Sequence, residues 1–208
     1  MSEFLNFVFD HEVRPVGSDK TWYHQFDLDI HYDPYHNAEL FTCVFLDARS
    51  LLDSYEKSKL EQGFWAMTGA GFDGNLNDII WESSIAIGAK EKLISSMYYL
   101  YRDLFSQEPF GETCEMWWDA LAYEINPMKR VDTINNTEHR RIQSAMFETL
   151  AKILDLDQHH CQFAALHGLN HVFHPETDDL IKNFVKSHPD LTDLEVEYAT
   201  ACANGRAM

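Results

Sequence analysis

Histidines are concentrated in one short segment of this 208-residue chain. Five of its 11 histidines lie between His159 and His174. On a helix that turns by about 100° per residue, four of them share what we call the histidine edge, formed by His160, His167, His171 and His174. The apolar side chains of the segment fall on the other side of such a helix, at Ala165, Leu169, Val172 and Phe173. The sequence therefore predicts that the histidine edge faces solvent, a groove or a neighbouring element.

Three interpretations of the histidine edge are open. His167 and His171, at i and i+4, can direct two imidazole nitrogens at one divalent ion such as zinc, nickel or copper, and Glu176 or Asp178 could add an oxygen. Because imidazoles change charge near a pKa of about 6.5, the edge could instead form a pH-sensitive contact surface. In a structural interpretation, the rings bond to helix ends and carbonyl groups. Since no His-Glu-x-x-His motif is present, we expect no cofactor, with a divalent metal as the alternative.

Trp117, Trp118 and Asp119 form a second cluster. Adjacent tryptophans on a helix point about 100° apart, so one ring can enter the core while the other meets a neighbouring helix or an interface. Together with the histidine edge, these three residues make up the predicted binding surface. Glu115 and Asp119 could pair as carboxylates, but the repeated Glu-x-x-His motifs of a di-iron bundle are missing.

Motifs of other catalytic classes are missing from the sequence. It contains no G-x-S-x-G nucleophile turn, no phosphate-binding P-loop and no zinc-finger spacing of Cys and His. We therefore expect a protein that is not an enzyme. The alternative is a metal-dependent enzyme that uses the histidine edge together with Asp157, Glu176 or Asp178.

Helical periodicity dominates the chain beyond residue 35. Apolar residues recur at helical spacing in the first such stretch, at Leu40, Val44, Phe45, Ala48, Leu51 and Leu52. Helix-start signals follow at short intervals, at Asp33-Pro34, Ser58-x-x-Glu61, Asn75-x-x-Asp78, Asn136-Thr137, Asp155-x-x-Gln158, Pro175 and Thr192-x-x-Glu195. Helix follows helix with no run of alternating strands, and the sequence therefore predicts an all-α fold.

One helix pair about every 35 to 45 residues indicates antiparallel helical hairpins stacked side by side. The segment from Arg141 to Met208 begins with a long amphipathic helix and a turn at residues 155–157. A second helix follows at residues 161–169, and Pro175 marks the start of the next helix. This third of the chain resembles HEAT or armadillo-type repeats. The resemblance implies an α-solenoid, and the alternative is a compact irregular helical domain.

The first 35 residues have a different pattern. Residues 21–30 are aromatic and partly alternating, and a turn-forming cluster at residues 14–19 precedes them. This pattern predicts an extended arm or a small hairpin. We therefore expect an N-terminal arm at 1–35 and a single helical domain at 36–208.

Acidic residues outnumber basic ones throughout the chain. The 34 Asp and Glu against 16 Lys and Arg give a formal net charge of −18. A chain without a basic stripe is a poor ligand for nucleic acid or for an anionic membrane surface, so we expect neither as a partner. The first ten residues lack a signal-peptide pattern, and the four cysteines form no C-x-x-C pair. These features favour a soluble cytoplasmic protein with reduced cysteines.

Taken together, these patterns predict a helical protein-binding module. Stacked hairpins would bury a continuous core and leave one layer of helices facing a partner, and the acidic charge favours a basic one. One form of this role is an immunity-type inhibitor of a basic toxin. Besides the metal-dependent enzyme, a structural subunit of a homo-oligomer is the remaining alternative.

Overall fold

The structure is a computed structural model that describes residues 1–15, 21–24, 33–69, 73–108 and 110–207. Within these ranges the regular secondary structure is helical and no strand occurs. The predicted all-α fold is therefore confirmed. None of the helices in these ranges has the length and the apolar composition that crossing a membrane requires.

The chain divides into two compact units, Met1–Thr113 and Cys114–Met208. The first unit contains six α-helices within its described residues: α1 (Ser2–Phe9), α2 (Pro34–Leu46), α3 (Arg49–Ser54), α4 (Lys57–Thr68), α5 (Leu76–Trp81) and α6 (Ile87–Leu100). A 3₁₀ turn at Trp22–His24 lies between α1 and α2, and a π-helical turn at Tyr101–Phe105 continues α6. A short helix, α7 (Glu112–Glu115), spans the boundary between the units.

Aromatic side chains form much of the core of the first unit. In this unit α2 packs against α6 and α5, and α1 packs against α4. Phe64 of α4 makes edge-to-face contacts with Phe9, Phe105 and Phe110, at centroid distances of 5.3, 5.3 and 5.8 Å. Edge-to-face geometry is favourable because the electron-poor edge of one ring meets the electron-rich face of another. These contacts join α1, α4 and the segment after α6 in one core.

The second unit is built around α10. Its helices are α8 (Trp117–Ala122), α9 (Thr137–Leu154), α10 (His159–Val172), α11 (Thr177–Ser187) and α12 (Asp193–Ala203). α10 packs against α8, α9 and α12, and nine of its 14 residues are buried. α10 is therefore enclosed on several sides, whereas the sequence predicted a helix with one buried face.

Capping residues begin several of these helices as the sequence predicts. Asp33 accepts the N–H groups of Tyr35 and His36 at the start of α2, and Asn75 and Asn136 cap α5 and α9 in the same way. Thr192 and Glu195 form a complete capping box at α12. Such caps satisfy N–H groups that have no partner within the helix.

Three other predicted helix starts are displaced. α4 begins at Lys57 with Glu56 as its N-cap, so Ser58 lies inside the helix and forms no capping box. α10 has Gln158 as its N-cap, three residues after the predicted Asp155, and α11 begins at Thr177, two residues after Pro175. α4 thus begins before the residue with the cap signal, whereas at α10 and α11 the preceding turn continues beyond it.

The predicted N-terminal arm contains a helix, α1, in place of an extended segment at residues 2–9. Val8 and Phe9 of α1 are buried, and the helix packs on α4. Of the predicted hairpin at residues 21–30, the structure describes 21–24, and the remainder lies outside the described residues, as do residues 16–19 of the turn cluster. α1 is therefore part of the core of the first unit.

Candidate metal centre

Three side chains from two helices of the second unit converge on one point. Nε2 of His171 lies 3.1 Å from Oδ1 of Asp119 and 3.1 Å from Nε2 of His167. One ligand atom from each residue lies within 4.8 Å of the other two. Across the described ranges, no other group of three His, Cys, Asp or Glu side chains meets this condition. We call Asp119, His167 and His171 the His-His-Asp cluster.

Helix geometry and close packing bring the cluster together. His167 and His171 lie one turn apart on α10, which places their rings on the same side of the helix. Asp119 lies on α8, where its neighbour Trp118 packs directly against Gly168 of α10. A Cβ at Gly168 would lie only 2.8 Å from Cβ of Trp118. The absence of a side chain at Gly168 therefore allows α8 to approach α10 closely enough for Asp119 to reach the histidines.

Hydrogen bonds to the second ring nitrogens orient both imidazoles. Nδ1 of His171 lies 3.1 Å from the carbonyl oxygen of Asn126. Because a carbonyl oxygen only accepts hydrogen bonds, Nδ1 of His171 carries the proton, and Nε2 of the neutral ring has a free lone pair. Nδ1 of His167 lies 3.1 Å from the hydroxyl oxygen of Tyr198 on α12. Both Nε2 atoms are thereby directed toward Asp119 and toward each other.

Burial shifts the titration of the groups around the cluster. The pKa of His167 is lowered, chiefly because burial disfavours the imidazolium form and also because His171 lies nearby, although Asp119 acts in the opposite direction. Burial raises the pKa of the Tyr198 hydroxyl and raises the pKa of the Cys202 thiol to about 12. At neutral pH, His167 is therefore neutral, and Tyr198 and Cys202 keep their protons.

The contacts of His171 require a proton or a cation among the three ligand atoms. If Nε2 of His171 carries only a lone pair, it lies against the lone pairs of the Asp119 carboxylate, which is unfavourable. A proton shared by Nε2 and the carboxyl group, or a divalent cation bound by all three groups, removes this repulsion. With metal–nitrogen bonds of about 2.0–2.1 Å, neighbouring ligand atoms lie roughly 2.8–3.4 Å apart, from octahedral to tetrahedral geometry. The two distances of 3.1 Å fall within this range.

A pocket adjoins the cluster on the side of His167. Its volume is about 440 Å³, and its lining residues are Glu115, Met116, Phe163, His167 and Tyr198. Small-molecule sites in proteins have volumes of about 300–1,000 Å³. The pocket is therefore large enough for a small molecule that contacts a metal bound at His167.

The structure corrects the predicted histidine edge. α10 ends at Val172 because Phe173 adopts the left-handed conformation, with φ of 49°, so His174 lies outside the helix. There its ring stacks on Phe147 of α9 at a centroid distance of 4.3 Å. His160 lies two turns before His167, about 10 Å away along the helix axis. His174 therefore leaves the predicted edge, and His160 stays on the same side of α10 but too far along the axis to share the site of His167 and His171.

The predicted binding surface at the tryptophans is also corrected. Trp117 is 1% exposed and Trp118 is 0% exposed, so both rings belong to the core rather than to a contact surface. Asp119, by contrast, has a side chain that is 28% exposed, and it joins the histidines rather than the tryptophans.

The structure places Asp119 beside the two histidines as an oxygen ligand, in place of the predicted Glu176 or Asp178. Asp178 forms an ion pair with Lys182 at 2.5 Å, and the backbone N–H of Glu176 donates to His174 at 3.3 Å. Neither of these residues, nor Asp157, belongs to the His-His-Asp cluster. Asp119, Asn126 and Tyr198 are separated from the histidines by tens of residues, and no spacing rule in the sequence could have assigned them to the site.

Comparison of the chain with protein-family models, with curated protein sequences and with solved structures finds no match. The resemblance to HEAT or armadillo-type repeats therefore stays a prediction.

Proposed function

We propose that this protein binds a divalent transition metal through Asp119, His167 and His171 and acts as a metal-dependent enzyme. The observation that carries the proposal is the convergence of two imidazole nitrogens and one carboxylate oxygen, with both Nδ1 atoms already engaged by Asn126 and Tyr198. Metal-binding histidines in proteins characteristically use the second ring nitrogen in this way, which fixes the ring and the tautomer.

Three protein ligands leave coordination positions open for water or substrate. Two histidines with one carboxylate are a ligand set of catalytic zinc sites and of non-haem iron sites. A metal held in this way supplies a Lewis acid and lowers the pKa of a bound water to about 7. The pocket beside His167 offers space for a substrate next to such a metal. These features favour a catalytic role over a purely structural metal site.

Measurement of bound metal in protein purified without a polyhistidine tag tests the proposal. We expect one zinc ion per chain after loading with Zn²⁺ and dialysis, and loss of this metal in the variants Asp119→Asn and His167→Gln. Asp178→Asn and His160→Gln are matched controls, because each changes a residue of the same type outside the cluster, and both should retain the metal. Circular dichroism of each variant verifies that it folds.

Two results would contradict the proposal. One is wild-type protein that retains no metal above the level of a chelator-treated sample. The other is equal metal retention in Asp119→Asn and Asp178→Asn, which would indicate adventitious binding at surface groups.

The protein-binding role, including inhibition of a basic toxin, stays a prediction, as does a homo-oligomeric subunit. The side chain of His171 is only 13% exposed, and Trp117 and Trp118 are buried. These residues therefore offer little area to a protein partner, and a surface for such a partner would have to use other parts of the chain.

A further inference from the structure

The pocket beside His167 has an unbalanced charge. Glu115 contributes a carboxylate to the lining, and neither Lys nor Arg is among the lining residues. Within the described part of the chain, Glu115 is an exposed residue and forms no ion pair. Its negative charge therefore faces the pocket and the solvent without a neutralising partner among the residues that the structure describes.

The walls of the pocket are aromatic and held in place. The ring of Phe163 stacks on Tyr198 at a centroid distance of 5.7 Å and an interplanar angle of 13°. Phe163 also stacks on His159 at a centroid distance of 4.4 Å, and Nε2 of His159 lies 2.8 Å from the carboxylate of Glu195. Aromatic rings attract cations electrostatically, and the polarisable thioether of Met116 adapts to apolar groups of different shapes.

The negative charge of the surrounding protein also favours a cationic ligand. Residues 114–208 contain 15 Asp and Glu against 8 Lys and Arg. A site within a region of one sign of charge raises the local concentration of ligands of opposite charge. An anionic ligand would meet the carboxylate of Glu115 without a basic side chain in the lining to neutralise it.

We infer that this pocket binds a small organic cation, an amine with an apolar body. The ammonium group lies at Glu115, and the apolar body contacts Met116, Phe163 and Tyr198. The uncharged end of the molecule then faces His167. The inference that such a cation is the substrate rests on the proposed metal centre, because His167 belongs to both sites. Binding of the cation itself needs no metal.

Titration calorimetry at low ionic strength tests the inference with three probes of similar size: benzyltrimethylammonium, benzyl alcohol and phenylacetate. The quaternary ammonium group has no lone pair and cannot bind a metal, so its binding reports on the pocket alone. In protein kept metal-free with a chelator, we expect benzyltrimethylammonium to bind at least about tenfold more tightly than the neutral and anionic probes, whose oxygen atoms could otherwise bind a metal. Glu115→Gln should weaken binding of the cation about tenfold and leave that of benzyl alcohol unchanged.

Glu197→Gln is the matched control, because Glu197 is an exposed residue on α12 that does not line the pocket. It should change binding of the cation less than twofold. Phe163→Leu should weaken binding of both the cation and the neutral probe, because it removes an aromatic ring that both molecules contact.

The results separate this inference from the metal proposal. Selective binding of the cation in both the wild-type protein and Asp119→Asn supports the pocket assignment, whether or not a metal is present. Equal or tighter binding of phenylacetate by metal-free Asp119→Asn protein, or an unchanged cation affinity in Glu115→Gln, would overturn the assignment even if the wild-type protein holds one metal ion per chain.

Discussion

His171 determines the chemistry of the His-His-Asp cluster because both of its ring nitrogens are engaged. Its Nδ1 donates to the carbonyl group of Asn126, and its Nε2 lies against Asp119 and His167. An imidazole fixed in this way loses little conformational entropy when it binds a metal, since its orientation is already set. His167 is held similarly by Tyr198, whose hydroxyl keeps its proton because burial raises its pKa.

The half-buried imidazoles of His167 and His174 also predict a pH dependence of stability. Burial lowers the pKa of His167 and of His174 from the usual 6.5. As the pH falls below about 6.5, the unfolded chain therefore binds protons at these residues before the folded protein does, and the free energy of unfolding decreases. Above this pH both states are neutral at these residues and the effect vanishes. The slope approaches about 1.4 kcal/mol per pH unit for each histidine that is protonated only in the unfolded state.

Urea unfolding at pH 7.5, 6.5 and 5.5 with a chelator present measures this effect. His167→Gln and His174→Gln should each reduce the loss of stability between pH 6.5 and 5.5. His36→Gln serves as the control, because the exposed His36 stays in contact with water in the folded state. An equal loss of stability in wild type and in both buried variants would contradict the expectation.

At the scale of elements, the close contact between α8 and α10 connects stability to the site. A Cβ at Gly168 would lie 2.7 Å from Cδ2 of Leu150 and 2.8 Å from Cβ of Trp118, distances at which atoms overlap. Because Gly168 has no side chain, α8 can pack closely against α10, and α8 carries Asp119.

Gly168→Ala should therefore affect stability and metal binding together. We expect the free energy of unfolding to fall by about 1–3 kcal/mol, the usual cost of overpacking a core, and the affinity for zinc to fall because α8 shifts relative to the histidines. Gly88→Ala is the control, because a Cβ at Gly88 in α6 meets nothing within 4 Å and alanine favours helix. Urea unfolding and zinc titration check both variants. Unchanged stability in Gly168→Ala would show that the interface adapts without cost.

At the scale of the whole molecule, the net charge of −18 is shared by both units. Residues 1–113 contain 19 Asp and Glu against 8 Lys and Arg, and residues 114–208 contain 15 against 8. Several ion pairs have both partners largely exposed, such as Lys182 with Asp178, and exposed pairs contribute little to stability. Repulsion among the excess carboxylates should therefore outweigh the attraction within these pairs.

Added salt should stabilise the protein for this reason. Between about 10 mM and 500 mM NaCl the Debye length falls from about 30 Å to a few Å, which screens repulsion over long distances. We expect Tm to rise by about 2–4 °C, which corresponds to roughly 1 kcal/mol for a chain of this size. Calorimetry in NaCl rather than in sulfate measures this effect without the general stabilisation by excluded salts. A lower Tm in high salt would indicate that attractive ion pairs dominate.

The sequence by itself determined the helical class, several helix starts and the pairing of His167 with His171. All three depend on residues within one or two turns of each other, and helix geometry fixes how such residues are placed. Thr192 and Glu195 illustrate this, because a capping box needs only two residues three positions apart. The displaced starts at α4, α10 and α11 show the limit of such local signals.

Only the tertiary structure decided what lies around the two histidines. Asp119 reaches them from α8, Asn126 from the turn that follows α8, and Tyr198 from α12. The burial of Trp117 and Trp118 and the enclosure of α10 follow from the same packing. Contacts between residues far apart in the chain depend on how the helices pack, and a periodic pattern carries no information about which helix is the neighbour.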